Sequence, residues 1–351
     1  MKHITTQRAM KIIPPYPPLV KGGWGDFLEK KFLYFAAFVL LCFTASPLMA
    51  EEAIKVLIIE SADSPVLSKD AEKIGTMNGD ILINDKIFSG LIDVRKDRNG
   101  LYFINELPFE KYIEGVVAAE TGADWAVEAL KAQAVVSRTY AFYHKTLNAG
   151  NDFHLTSSTL HQVYKGGNSN SSVSKAVRET AGEILTYQGK PIEAFYHSTC
   201  QGKTELPEEV WGKNFPYLKS VPCVEKTSPY ENWQRRFSIA EIEKALGITG
   251  IKDISIASMT ASNRVKTLKV AAMNSEIEVK ATDLRKLLGF KELPSTRFSV
   301  IIEEGYVIFE GGGYGHGVGL SQWGALELAN GGKNYKEILE YYYPGTELKK
   351  M

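Results

Sequence analysis

The patterning of this chain predicts an α+β fold. Strand-like and helix-like segments both occur, but they do not alternate in the regular βαβ order of a doubly wound sheet, and no internal period repeats. At 351 residues, 44% hydrophobic and 23% charged, the chain can bury a substantial core in one large domain or two smaller ones. Its 41 basic and 41 acidic residues cancel, so neither a nucleic-acid partner nor an acidic solvating tail is expected.

Residues 1–50 read as a leader outside the fold. Lys30-Lys31 precede an apolar run over 32–45, and Ala50 closes the segment before Glu51-Glu52, the charged, apolar and small-residue order of a secretory signal. The run is shorter than the roughly 20 residues of a membrane span. An exported protein is therefore expected, in periplasm, cell wall or medium, with membrane attachment only through an uncleaved leader. Residues 1–29 add a proline-rich preamble, Pro14-Pro15-Tyr16-Pro17-Pro18, which points to a start site placed too early or an unusually long leader. Cys42 follows Leu41 rather than Gly or Ala, so it is not read as a lipid acceptor.

A β-rich segment over 51–105 follows. Apolar runs at 54–59, 81–83, 87–88 and 101–104 predict strands, with Asn78-Gly79 and Asn84-Asp85 supplying turns. A helix is expected up to Glu120 and a second from 125 to 145, with Asp124 as its N-cap and Glu128 in its first turn. Ala126, Ala129, Ala134, Ser137 and Ala141 give the second helix a face of small side chains, so a neighbour can approach closely and the helix pair is placed at the centre. Gly, Asn and Ser over 166–174 predict an exposed loop, then a short helix over 173–180 and strands at 184–187 and 192–197 about the turn Gln188-Gly189-Lys190-Pro191. Further on, helices are expected over 239–246 and 281–288 and a strand over 265–270.

One carboxylate stands in apolar company. Phe109, Tyr112, Ile113, Val116 and Val117 recur at helical spacing, Glu120 continues their stripe, and Gly122 is the expected C-cap. Burial and the negative end of the helix dipole both disfavour ionisation, so a raised pKa is expected, as a general acid requires. The alternative is a frayed last turn with Glu120 in water, the usual state of a glutamate.

The run Gly311 to Gly319 lacks the Gly-Lys-Ser/Thr ending of a P-loop, and no register fits G-x-G-x-x-G. Its glycines instead let backbone lie close to an extended substrate or turn with positive φ, and His316 and Gln322 are the polar groups such a loop presents. In an exported protein Cys200 and Cys223 are expected to pair as a disulfide. The alternatives are free thiols, or zinc held by His197, Cys200 and Cys223 with a water; no Cys-x-x-Cys or His-x-x-x-His spacing supports zinc, and no other cofactor is expected.

Three blocks carry a resemblance. Glu120, Trp125, Glu128-Ala129-Leu130-Lys131-Ala132-Gln133-Ala134 and Arg138-Thr139-Tyr140 form the first; Gln162-Val163-Tyr164 with Gly166 the second; Gly313-Tyr314-Gly315-His316-Gly317-Val318-Gly319-Leu320-Ser321-Gln322-Trp323-Gly324-Ala325 the third. In this order they resemble the SpoIID/LytB family, which takes in stage II sporulation protein D and the amidase enhancers. The resemblance implies a domain over 106–350, with an inserted α+β subdomain at about 238–293, that cleaves peptidoglycan glycan strands as a lytic transglycosylase with Glu120 as its catalytic residue. Lys131, Arg138, Gln162, Tyr164, Tyr196, Ser198, His316 and Gln322 are the candidates for binding substrate. Lys131 and Arg138, two turns apart, either bind sugar, tune Glu120 or form a solvated helix face. Trp125 and Trp323 are candidates for stacking on sugar or for core.

A glycosidase ordinarily needs two carboxylates, and no convincing second one is found: Glu114 and Glu128 read as helix surface. A lytic transglycosylase needs only one, because the muramic acid 6-hydroxyl takes the place of water. The alternatives are a non-catalytic amidase enhancer with a cell-wall amidase as partner, and a metal-dependent hydrolase. Two departures from the family pattern bear on cleft shape: Thr121-Gly122-Ala123-Asp124 where Met-Pro is frequent, and Gln201-Gly202 where Gly-Gly is more usual.

Overall fold

The computed structural model describes residues 52–59, 67–68, 70–122, 124–159, 161–167, 170–223, 225–273 and 275–351. The expected leader, with its apolar run and Cys42, lies outside them. Among the described residues eight helices and eighteen strands are distributed over several small sheets, so the fold is α+β.

The N-terminal layer is a five-stranded sheet. Strands β1 (Ala53–Ile58), β2 (Glu72–Asn78), β5 (Leu91–Asp97) and β6 (Gly100–Pro108) pair antiparallel in the order β2-β5-β6-β1. Between them β3 (Ile81–Ile83) and β4 (Lys86–Phe88) form a small hairpin. Its turn, Asn84-Asp85, has φ of 50° and 59°, the two left-handed residues that match strand twist in a two-residue hairpin. Strand β6 runs directly into α1 (Phe109–Glu120), whose buried stripe is Phe109, Tyr112, Ile113, Val116 and Val117. The helix ends at Thr121 in extended backbone rather than at a left-handed Gly122. Gly122 is needed for another reason: a Cβ there would lie 2.4 Å from the Trp125 indole nitrogen.

Helix α2 (Val127–Leu147) starts at Ala126 and not at the expected cap Asp124, because Trp125 N donates to Gly122 O at 3.3 Å ahead of the helix. Its small residues put it between two cores. Leu130, Ala134 and Ala141 face the N-terminal sheet and α1; Ala132, Val135 and Val136 face the C-terminal layer. The chain then adds β7 (Leu155–Thr156), parallel to β1, and α3 (Ser171–Glu179), capped by Asn170, which accepts from Val173 N. Strands β8 (Glu183–Tyr187) and β9 (Lys190–Pro191) follow. Of the strand expected over 192–197, only β10 (Tyr196–His197) is regular.

After the short helix α4 (Pro207–Trp211) comes a unit with its own core. It contains β11 (Trp233–Ser238), α5 (Ile239–Leu246), β12 (Ile251–Met259), β13 (Val265–Ala272), β14 (Glu276–Lys280), α6 (Ala281–Leu288), β15 (Phe298–Glu303) and β16 (Tyr306–Gly311). Two three-stranded sheets, β11-β16-β15 and β12-β13-β14, enclose Phe237, Ile254, Leu268, Leu284 and Phe309. Helix α5 starts with a reciprocal cap between Ser238 and Glu241. The chain then returns through β17 (Leu320–Ser321), parallel to β10, to α7 (Gln322–Asn330), α8 (Tyr335–Tyr342) and β18 (Glu347–Lys350) on β8. Among the described residues no helix is long and apolar enough to cross a membrane.

Candidate functional site

Four segments meet at Glu120, the loop at Val163 among them. The last turn of α1 carries the carboxylate, β10 brings Tyr196, and β17, in register with β10, delivers Gln322 at the start of α7. Val163 N donates to Glu120 Oε1 at 3.0 Å, Tyr196 Oη to the same oxygen at 3.4 Å, and Gln322 Nε2 to Oε2 at 3.1 Å. Desolvation raises the carboxyl pKa above its ordinary value; the Val163, Gln322 and Tyr196 hydrogen bonds and the charge of Lys165 oppose it without cancelling it. Such a group holds its proton better than a surface glutamate, and three donors face the carboxylate that forms when the proton leaves. Among the described residues its hydrogen-bonding partners include no second carboxylate. Trp125 and Trp323, partly buried, pack edge to face at 5.2 Å between ring centroids, one following α1 and the other on α7.

The glycine-rich segment lies against residues 195–200. Thr199 and Tyr314 exchange two backbone hydrogen bonds, of 3.0 and 2.8 Å. At Gly319, φ +73°, a Cβ would stand 1.9 Å from Phe195 O, so only glycine admits this approach. At Gly317 the space of a side chain is taken by the Arg264 guanidinium, 2.7 Å away, which donates to Cys200 O at 2.7 Å. His316 Nδ1 accepts from Val318 N at 3.0 Å, and burial with the nearby Arg285 and Arg264 pushes its pKa down to about 3, leaving it neutral. Its ring meets Trp211 and His197 at 5.0 and 5.7 Å.

The other candidates fall elsewhere. Arg138 is fully buried and grips Glu110 through two hydrogen bonds of 2.8 Å while donating to Glu183 O and Val177 O; it ties α2 to α1 and α3 and presents nothing to a ligand. Lys131 is paired with Glu128 and Glu179 at 3.0 and 2.9 Å. Among the described residues, a cation whose charge lowers the Glu120 pKa is Lys165, at a loop position without a local pattern to mark it. Tyr164 is buried against Tyr112 and Phe88, its hydroxyl on Asn105. Gln162 bonds Tyr112 Oη and Ser137 O, and so fixes the loop whose next amide reaches Glu120. Ser198 offers its carbonyl to Trp323 N at 3.1 Å.

Cys200 and Cys223 are joined in a disulfide, so neither offers zinc a thiolate. The carboxylate near them is Glu225 rather than a histidine, and His197 Nδ1 lies 3.1 Å from Val318 O. Glu225 is a residue that sequence reasoning missed: it accepts from Cys200 N and Gln201 N at 2.8 and 2.7 Å and also bonds Ser321, the neighbour of Gln322. Gln201 holds φ +58°, a left-handed conformation that costs an L-residue roughly 1–2 kcal/mol and glycine almost nothing.

The chain is similar to known proteins over most of its described length. The family model described as stage II sporulation protein matches residues 97–187, and a domain of unknown function matches 223–319. The chain is 34% identical over 262 residues to stage II sporulation protein D of Bacillus subtilis (strain 168), covering 70% of this chain and 75% of that one. It is 33% identical over 268 residues to the protein of the same name in Bacillus amyloliquefaciens, covering 72% and 77%. The amidase enhancer of Bacillus subtilis is 32% identical over 289 residues, 67% of this chain and 40% of that longer protein. With its glutamate, its middle loop and its glycine-rich return strand drawn to one point, the chain belongs to the SpoIID/LytB family of stage II sporulation protein D and the amidase enhancers.

Proposed function

We propose that this protein is an exported lytic transglycosylase that cleaves the bond between N-acetylmuramic acid and N-acetylglucosamine in peptidoglycan glycan strands, in cell-wall remodelling or sporulation. The observation that carries the reading is the Glu120 carboxyl, raised in pKa by burial and surrounded by the Val163, Tyr196 and Gln322 donors. In the first half of the reaction Glu120 gives its proton to the glycosidic oxygen as that bond breaks. The three donors then stabilise the carboxylate left behind, worth about 1.5–3 kcal/mol for a hydrogen bond to a charged group. In the second half the carboxylate takes the proton of the muramic acid 6-hydroxyl as its oxygen bonds to the anomeric carbon, closing a 1,6-anhydro ring and restoring the acid. One group serves both proton transfers, and acid–base assistance of this kind contributes about 10²–10⁴-fold. Mass spectrometry of products from purified glycan strands tests the proposal: the protein should release anhydro-muramyl ends and Glu120→Gln should not. Anhydro product undiminished in that variant would overturn it.

A second reading has support in the amidase enhancer relative: the domain binds wall and stimulates a separate cell-wall amidase. Wall binding without anhydro ends, together with amidase stimulation by Glu120→Gln equal to that by the unaltered protein, would favour it.

A further inference from the structure

Beside the glycine-rich run lies a groove of about 590 Å³ lined by Gln201, Asn232, Trp233, Gln234, Arg297 and Glu310, with Gly311 and Gly312 in its floor. The lining is two carboxamides from one strand edge, a third from the loop after the disulfide, an indole, a guanidinium and a carboxylate. Trp233 is fixed in place: its Nε1 donates to Gly313 O at 2.9 Å, and its ring lies where a side chain on Gly311 would be. Gln201 reaches over Gly312, 3.1 Å from the site of a missing Cβ, on a backbone conformation that glycine would adopt more easily. Arg297 lies against Gly202 and, among the described residues, forms no ion pair. Glu310 is held by Gln234 at 2.7 Å, and Glu231 stands at the rim. One cation against two carboxylates does not favour an anionic occupant. Amide, guanidinium and carboxylate groups around one indole instead match the hydroxyls and N-acetyl groups of a neutral amino sugar.

The groove is tied to Glu120 through the chain. Gln201 follows Tyr196, which touches Glu120, by five residues, a span of at most about 18 Å of extended chain. We infer that this groove is an outer subsite that binds an N-acetylated amino sugar of the glycan strand several units from the bond at Glu120. The inference rests on the glycan-cleaving reading of Glu120. It adds that affinity depends on strand length and that Gln201 and Arg297 supply that dependence.

The test uses Glu120→Gln as host, so that ligand is bound without turnover, and measures binding of the N-acetylglucosamine dimer and hexamer by calorimetry. The host should prefer the hexamer. Gln201→Gly and Arg297→Met, each added to the host, should weaken the hexamer about 5-fold, the size of one lost hydrogen bond, and leave the dimer unchanged. Gln201→Gly removes the side chain while relaxing its backbone, so its thermal midpoint should equal or exceed the host's; a lower midpoint would make Gln201 a structural residue and overturn its role. A hexamer-to-dimer ratio unchanged in both variants overturns the subsite and leaves the reading of Glu120 standing. A host that binds neither sugar overturns both.

Discussion

Gln322→Met removes one donor from Glu120 while nearly conserving volume in a buried position. The lost bond stabilises the ionised carboxylate, so its loss must raise the pKa further. A hydrogen bond to a charged group is worth about 1.5–3 kcal/mol, and one pKa unit about 1.36 kcal/mol. At 3.1 Å the bond is of moderate strength, which places the shift near the lower end, about one unit. In the proposed reaction the protonated form is active at the start, and activity is lost as pH rises through the Glu120 pKa. The alkaline limb of the kcat profile, followed by release of anhydro-muramyl ends, should therefore move up by about one unit. The limiting rate should fall, because the carboxylate formed in the first step is less well stabilised. A carbon-13 titration of the Glu120 carboxyl gives the same shift without relying on turnover. A limb that stays in place or moves down would refute the reasoning, since it would mean that Gln322 does not act on the ionised form.

Glu120→Gln should also report on stability. A carboxyl with a raised folded pKa contributes stability below its ordinary value, near 4.5, and loses it as pH rises through the folded pKa. The thermal midpoint of the variant should therefore gain on that of the unaltered protein from pH 4 to pH 7, and equal midpoints across that range would contradict the raised value. Arg138→Met breaks the buried pair with Glu110 and should cost about 3 kcal/mol in urea unfolding, while dimer binding in material that stays folded is unchanged. Replacing Cys200 and Cys223 with serine opens a loop of 23 residues and should cost about 3 kcal/mol by the chain-entropy relation, read from denaturation with and without reductant. Gly319→Ala should fail to fold, or fold with residues 195–200 displaced, as limited proteolysis would show.

What the sequence made legible was periodic or local. The α1 stripe, the small residues that centre α2, and the Asn84-Asp85 turn are written in consecutive residues, and Glu120 stood out because it continues an apolar face. The pairing of β10 with β17 joins residues over a hundred positions apart through two residues each, and nothing local announces it. Gln322 could be named as a polar group of its block, but its bond to Glu120 follows only from that pairing. Lys165 and Glu225 act through loops, where no periodicity exists to flag them. Arg138 shows the opposite error: a charged residue in a motif invites a ligand, yet its donors are taken by Glu110, by the carbonyls of Ala134, Val177 and Glu183, and by the Thr180 hydroxyl. The caps at Gly122 and Asp124 differed because the Trp125 indole folds back over Gly122, a tertiary demand that no propensity encodes.

The parallel bridge between β10 and β17 has an architectural consequence. The chain departs at His197 and is handed back at Leu320 alongside its own point of departure, with a self-sufficient apolar nucleus built in between. Doorposts set this close together form a hinge-side frame that is indifferent to the size of the room behind it. Exchanging the outer part of the excursion, away from Arg264 and Glu225, would leave Tyr196 and Gln322 flanking the same carboxyl.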